Sequence, residues 1–283
     1  MRKKLAQFAG FFLLRASLVL VLAVLLLLLY DIGVKGGGAI SWEFLTRGPR
    51  RGMTEGGIFP AIFGTFLVTV ITAALAVPLG VFAAIYLNEY AGQGILTRII
   101  RLSIRNLAGV PSIVYGLFGV VLFVNALKLG TSVLTAGLTL GLLTLPWTIT
   151  ACEEALKTVP KSYREGALAL GATKWYTIRT NVLPYAIPGM MTGMILGLAR
   201  AAGETAPILF TGAAFFLPHL PKSLFDQFMA LPYHLYIMAT QHHAIAKVRP
   251  LAYGTALVLL GLVLLLNLSA IYVRYRYRRK MKG

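Results

Sequence analysis

Acid is scarce in this 283-residue chain: nine Asp and Glu stand against 27 Lys and Arg, a formal net charge of +18. Charge of any sign is scarce too, at 13% of residues, while 58% are hydrophobic. Nucleic-acid binders carry such a charge on a polar composition, so nucleic acid is not an expected partner. Long apolar runs exclude a disordered chain. The single cysteine, Cys152, permits no internal disulfide and no thiolate cluster. Gly36-Gly37-Gly38 is not followed by Gly-Lys-Ser/Thr, and no phosphate-cradling P-loop occurs elsewhere. If ATP is used, a partner must bind it. The four histidines, His219, His234, His242 and His243, match no strong metal spacing, so no metal is expected. With Ser112 and Cys152 they form no recognisable nucleophile–base arrangement, so no catalytic residue is assigned.

What is abundant is long apolar sequence. A helix needs about 20 predominantly apolar residues to cross a bilayer. The charge-free runs Gly56–Asn88, Asn106–Leu127, Leu129–Cys152, Thr180–Ala199 and Pro250–Val273 meet that length. Phe11–Tyr30 adds a sixth, with Arg15 near its start. The expectation is an all-α, polytopic integral membrane protein of about six helices, with spans near 11–30, 58–87, 107–127, 131–152, 185–212 and 250–273. Thr205–Pro221, interrupted by Pro207, Pro218, His219 and Pro221, reads as the end of span five followed by a re-entrant or surface segment. Met1–Lys4 with Leu18–Leu29 resembles a signal peptide, but Tyr30-Asp31-Ile32-Gly33 offers no good cleavage site, so a retained anchor is expected.

Placing both termini in the cytoplasm puts 17 basic residues inside and 8 outside, leaving Arg15 and Arg200 in spans. That bias fits the positive-inside rule. The net charge then reflects topology and contact with anionic lipid. Tyr272, Tyr275 and Tyr277 beside the basic tail read as an interfacial belt.

The longest interruption is the cytoplasmic loop 153–184. Ser162 with Glu165 three residues later reads as a capping box that starts a short helix, and Gly171 fits its end. Lys174–Val182 reads as a second short helix before Leu183-Pro184, giving a compact knob. Glu89 and Asn88 read as the interfacial end of span two, and Asn125 and Asn267 as interhelical hydrogen-bonders. Thr65, Thr69 and Thr72 share a face and are expected to bond back to their own helix.

The stretch Glu165-Gly166-Ala167-Leu168-Ala169-Leu170-Gly171-Ala172, followed by Leu183-Pro184, resembles the EAA loop of binding-protein-dependent ABC permeases; Gly166 stands where that pattern usually has Ala. Gly56-Gly57-Ile58-Phe59-Pro60-Ala61-Ile62, the segment Leu107–Gly119, the segment Leu168–Trp175, and Ala199-Arg200-Ala201-Ala202-Gly203-Glu204-Thr205-Ala206-Pro207 are similar to PstA-type permeases of phosphate importers. The resemblance implies one permease domain over 1–283 with the ABC type I importer fold. It also implies a homologous PstC-like permease partner, two PstB-like cytoplasmic ATPase subunits and an external PstS-like phosphate-binding protein. ATP and Mg would be bound by the ATPase, with no cofactor in this chain. Glu165, Gly166, Ala167, Gly171 and Pro184 would belong to the segment that couples to the ATPase.

Arg200 and Glu204 interrupt an apolar stretch at a spacing of four, which expects them on one helix face, with Pro207 kinking the helix beyond. Intramembrane charges line polar pathways or pair with one another, and guanidinium matches the oxygens of a tetrahedral anion bidentately. The expected substrate-pathway residues are therefore Arg200, Glu204 and Thr205; a purely structural ion pair is the alternative. Three further alternatives stay open: a permease for sulfate or molybdate, a secondary transporter working without ATP, and a membrane enzyme.

Overall fold

The computed structural model describes residues 2–280; Met1 of the signal-like segment and Lys282, counted among the expected cytoplasmic residues, lie outside the described residues. The described residues are mostly helical, with a hairpin of two-residue strands, β1 (Pro49–Arg50) and β2 (Glu55–Gly56), and irregular connections, the longest at 212–230. Among the described residues, five helices are long and apolar enough to cross a membrane, and a sixth crossing can be made from a bent pair.

The first helix, α1 (Arg2–Gly37), extends well past both ends of the expected 11–30. Its apolar stretch is exposed along its length, and only its last turns lean on the bundle, where Gly36 meets the backbone of Tyr253. A short α2 (Trp42–Thr46) follows, N-capped by Ser41, whose hydroxyl accepts from the Phe44 amide. Next comes α3 (Phe59–Ile85), which continues into a π turn at Tyr86–Tyr90.

The expected continuous span 107–127 is corrected. An amphipathic α4 (Ile95–Ala108) and α5 (Ser112–Gly119, extended by a π segment to Ala126) meet at 100°. Pro111 cannot donate to a helix and pushes Val110 out of helical geometry, so the apolar run turns rather than continues. Arg98, Arg101 and Arg105 on α4 suit an interface better than a bilayer core.

The bundle is built around α6 (Val133–Lys157). It packs along α3 at small residues: a Cβ on Gly137 would strike Ile71, and one on Gly141 would strike Leu75. Close backbone approach of this kind drives helix association in lipid, where hydrophobicity offers no preference between neighbours. Thr65, Thr69 and Thr72 do bond back to Ala61, Thr65 and Val68, and Thr72 also reaches the Gly137 carbonyl.

Below α6 lie α7 (Lys161–Ala169) and α8 (Lys174–Thr177). The second short helix expected in the knob is not separate: α8 runs through a π turn at Ile178–Val182 into α9 (Leu183–Ala201), one stretch from Lys174 to Ala201. The π turn widens the helix ahead of Pro184, absorbing its missing donor and its clash with the preceding turn. Since α6 reaches Lys157, the interruption shrinks from 153–184 to 158–173.

The chain breaks at Ala202–Thr205 and restarts as α10 (Ala206–Thr211). Residues 212–230 then lie across the start of α6, with the Asp226 and Leu224 carbonyls accepting from the Val133 and Leu134 amides. The expected segment Thr205–Pro221 thus begins as the separate helix α10, and its irregular part runs on to residue 230. A short α11 (Leu231–Tyr236) with its π turn leads into α12 (Ile245–Lys280), longer at both ends than the expected 250–273. Of the two asparagines expected to hydrogen-bond between helices, Asn125 is exposed and the buried Asn267 Oδ1 has no partner among the described residues.

Candidate functional site

Two places in the fold bring chemistry-bearing residues together. One lies halfway along the bundle. Arg200 is in the last turn of α9, and its guanidinium carbon sits 5.8 Å from the ring centroid of Trp147. Trp147 is close to the middle of the 25-residue α6. Gly197 lets that ring approach α9 closely, since a Cβ there would meet Trp147 at 2.9 Å. The expectation that Arg200 and Glu204 share a helix face is corrected, because Glu204 lies past the helix end in the Ala202–Thr205 break. The turn still folds it back, leaving Arg200 Nε 3.6 Å from Glu204 Oε1. That is ion-pair distance but too long for a hydrogen bond. Glu204 is largely covered at 16% exposure, whereas the Arg200 side chain is 58% exposed. Thr205 precedes α10 without a side-chain capping bond. The kink assigned to Pro207 is a full break, with Pro207 in the first turn of α10, where its missing N–H costs nothing.

An arginine facing lipid at that depth costs about 2.5–3.5 kcal/mol on insertion scales. A half-exposed guanidinium on an open face at mid-length therefore requires water, a polar neighbour or an anion beside it. Its planar fork, within cation–π range of an indole and only loosely held by one carboxylate, has donors left to offer.

The second place is the knob. The helix α7 starts at Lys161 after Pro160, with no side-chain cap, so the capping box at Ser162 is corrected: Ser162 is already inside the first turn. Gly171 does end the unit. Its φ is +79°, its amide donates to the Leu168 carbonyl, and the Ala172 amide donates to Ala167. This is left-handed cap geometry that suits glycine. Glu165, Gly166 and Gly171 are exposed, with open space where a Cβ of either glycine would point. No residue of α7 is buried. Leu170 is 90% exposed, with Leu168, Trp175 and Tyr176 also exposed beside it. A cavity of about 540 Å³ opens between Tyr163, Ala167, Leu170, Tyr176 and Asn181. Exposed leucine and aromatic side chains gathered at one end are of the kind that meet another protein or the membrane interface.

Sequence reasoning missed what ties this knob down. Glu89, read as an interfacial terminus, is 6% exposed and clasped by Arg164. Arg164 Nη2 donates to Glu89 Oε1 at 2.6 Å and Nε to Oε2 at 3.0 Å, while Nη1 and Nη2 also donate to the Val159 and Leu156 carbonyls. Nearby, Arg101 Nη2 donates to the Leu87 carbonyl at 2.7 Å. Arg101 Nε lies 2.8 Å from Glu153 Oε1, an ion pair by distance but not aligned as a hydrogen bond. Partners 75 residues apart carry no local signal in a single sequence.

Residues 76–283 match the model of a family described as the binding-protein-dependent transport system inner membrane component. The phosphate transport system permease protein PstA 1 of Mycobacterium tuberculosis (strain H37Rv) is 36% identical over 273 residues, covering 94% of this chain and 86% of its own length. A probable ABC transporter permease, YqgI of Bacillus subtilis (strain 168), is 34% identical, covering 89% of each. Among solved structures, a bacterial ABC transporter that imports alginate superposes with a TM-score of 0.67 at 15% identity, over 94% of this chain and 96% of that one. The methionine transporter MetNI, in an inward-facing form, gives 0.58 at 18% identity, over 78% of this chain and 94% of its own. Relatives above 30% identity along nearly the whole chain, and a family model covering most of it, make this multi-pass membrane protein a member of the binding-protein-dependent transport system inner membrane component family.

Proposed function

We propose that this chain is a PstA-type permease subunit of an ATP-driven phosphate importer and lines half of the translocation pathway. The observation that carries the reading is Arg200: half-exposed at mid-length, 5.8 Å from the Trp147 ring centroid and loosely paired with Glu204. Phosphate would approach the guanidinium and displace Glu204 from it, with Thr205 offering a hydroxyl at the break. The names of the relatives add phosphate as the cargo.

The remaining assignments follow from the family. A homologous permease supplies the other half of the pathway, and an external phosphate-binding protein delivers cargo. Two cytoplasmic ATPase subunits bind ATP and Mg, and this chain holds no nucleotide. The knob, with Glu165, Gly166 and Gly171 exposed, Ala167 half-buried beside the cavity and Pro184 at its root, docks into the ATPase. Both termini then lie in the cytoplasm, beneath a prokaryotic inner membrane.

The test is uptake of radiolabelled phosphate by vesicles containing the full complex and ATP. Arg200→Ala at equal membrane level should abolish uptake, and Arg200→Lys should retain a fraction, since lysine keeps the charge but not the fork. Normal uptake by Arg200→Ala would remove this residue from the pathway. Competition by sulfate or molybdate distinguishes the other oxyanions, and uptake driven by an ion gradient without ATP would point to secondary transport.

A further inference from the structure

No residue of α7 itself is buried; apolar packing anchors the knob at Val159 ahead of α7 and at Ile178 and Val182 beyond it, leaving α7 to be held by other contacts. It meets α9 through the Tyr163 and Tyr185 rings, 5.4 Å apart. Its polar attachment goes elsewhere. Arg164, ahead of Gly171, clasps Glu89 through both carboxylate oxygens. Lys174, beyond Gly171, sets its ammonium 4.8 Å from the centroid of the Tyr90 ring. Both targets belong to the Tyr86–Tyr90 π turn that ends α3.

That turn is prepared for the role. Asn88 Nδ2 donates to Glu89 Oε1 at 2.7 Å, fixing the carboxylate from its own side. The widened turn leaves the Leu87 carbonyl free for Arg101, so α4 is tied to the same place. π turns recur at functional sites because they redirect side chains and free backbone groups. The knob thus holds the end of a helix from which it is remote in sequence, and holds it from both sides of the Gly171 cap.

We propose that the Tyr86–Tyr90 turn is the receiving end of the knob, and that Arg164 and Lys174 transmit displacement of α7 into α3 and the α6 packed along it. The proposal rests on the reading of the knob as the ATPase dock. Arg164, Lys174 and Glu89 are positioning residues in this scheme: they touch neither phosphate nor nucleotide. Movement of α3 with α6 as one body is the kind of rigid shift that alternating access requires.

The experiment uses the full complex in liposomes with its binding protein. ATPase retention, ATP hydrolysis and phosphate uptake are measured on the same preparation. Glu89→Gln and Arg164→Gln should keep the ATPase bound and hydrolysing while uptake per ATP falls roughly 2- to 30-fold, the span of coupling changes seen along such networks. The exchange Glu89→Arg with Arg164→Glu should recover much of the ratio, which a loss of general stability would not do. Wild-type uptake per ATP in the single variants, or an exchange no better than either of them, would overturn the proposal. If Glu89→Gln does not accumulate, Lys174→Gln decides, because it removes no buried charge: a lowered ratio supports the grip and an unchanged one refutes it. Loss of the ATPase from the unaltered complex would instead defeat the docking reading, a separate and visible result.

Discussion

Arg164 with Glu89, and Arg200 with Glu204, are the same chemical pair in opposite states. The first is covered, bidentate and short, and its guanidinium also donates to two backbone carbonyls. The second is 3.6 Å apart, has one exposed partner and rests against a ring. A guanidinium that spends its donors inside the protein can hold a structure together. One that keeps them free can hold a passing anion. The difference lies in how many donors are already engaged, and residue type alone does not reveal it.

The sharpest way to break the comparison is to remove one partner of the closed pair. Arg164→Met leaves the Glu89 carboxylate buried without its counter-ion, which costs about 3–5 kcal/mol where burial is complete. Arg164 is 20% exposed, so we expect the lower end, about 3 kcal/mol. Thermal unfolding of the detergent-solubilised chain should show it, and Glu89→Leu added to Arg164→Met should recover part of the loss. A midpoint unchanged by Arg164→Met would mean that the clasp adds nothing to the fold.

His234 supplies the third case, burial without a partner. It is 3% exposed, and its Nδ1 has no hydrogen-bond partner among the described residues. Burial, with His242 nearby, pushes its pKa down to about 4. The unfolded chain binds the proton near pH 6.5 and the folded chain only near pH 4. Stability should therefore fall as pH drops through that window, by about 1.4 kcal/mol per unit for this one group. His234→Leu should flatten the dependence. An equal slope in the variant and the parent between pH 6.5 and 4 would assign the acid sensitivity elsewhere.

The legible parts of the fold share one property: their cause is local. Twenty apolar residues in a row announce a membrane helix whatever packs against it, and Gly171 after a short helical run announces a cap. Arg200 was visible because a charge in an apolar run needs an explanation. The bend at Gly109–Pro111 was hidden because Leu107 and Ala108 keep the run apolar through it, although Pro111 was a signal. Ser162 misled because a capping box is a short pattern, and Pro160 had already set the helix start. The Glu89 clasp was not legible at all. It depends on the fold bringing α3 and α7 together, which no window of sequence contains.

Gly171 tests how far the knob depends on its own cap as opposed to the clasp. At φ +79° an alanine pays the left-handed penalty, about 1–2 kcal/mol, whereas asparagine tolerates the region better. Hydrogen exchange at Leu168–Ala172 should accelerate most in Gly171→Ala and less in Gly171→Asn, with the spans unaffected. Equal exchange in both variants would show that the knob's shape is set by Arg164 and Lys174 instead.

The smallest expected effect on the fold is at Arg200, and its smallness is the point. An exposed, loosely held ion pair contributes about 0–1 kcal/mol, so Arg200→Ala should unfold within that margin of the parent while Arg164→Met does not. If the two arginines differ as their surroundings indicate, stability and transport should separate: one variant loses the fold first, the other loses uptake from an intact protein. A destabilised Arg200→Ala would mean that Glu204 and Trp147 hold this arginine for structural reasons, and the open pair would then be a second clasp. An intact fold with abolished uptake would leave the anion as the partner for which those free donors are kept.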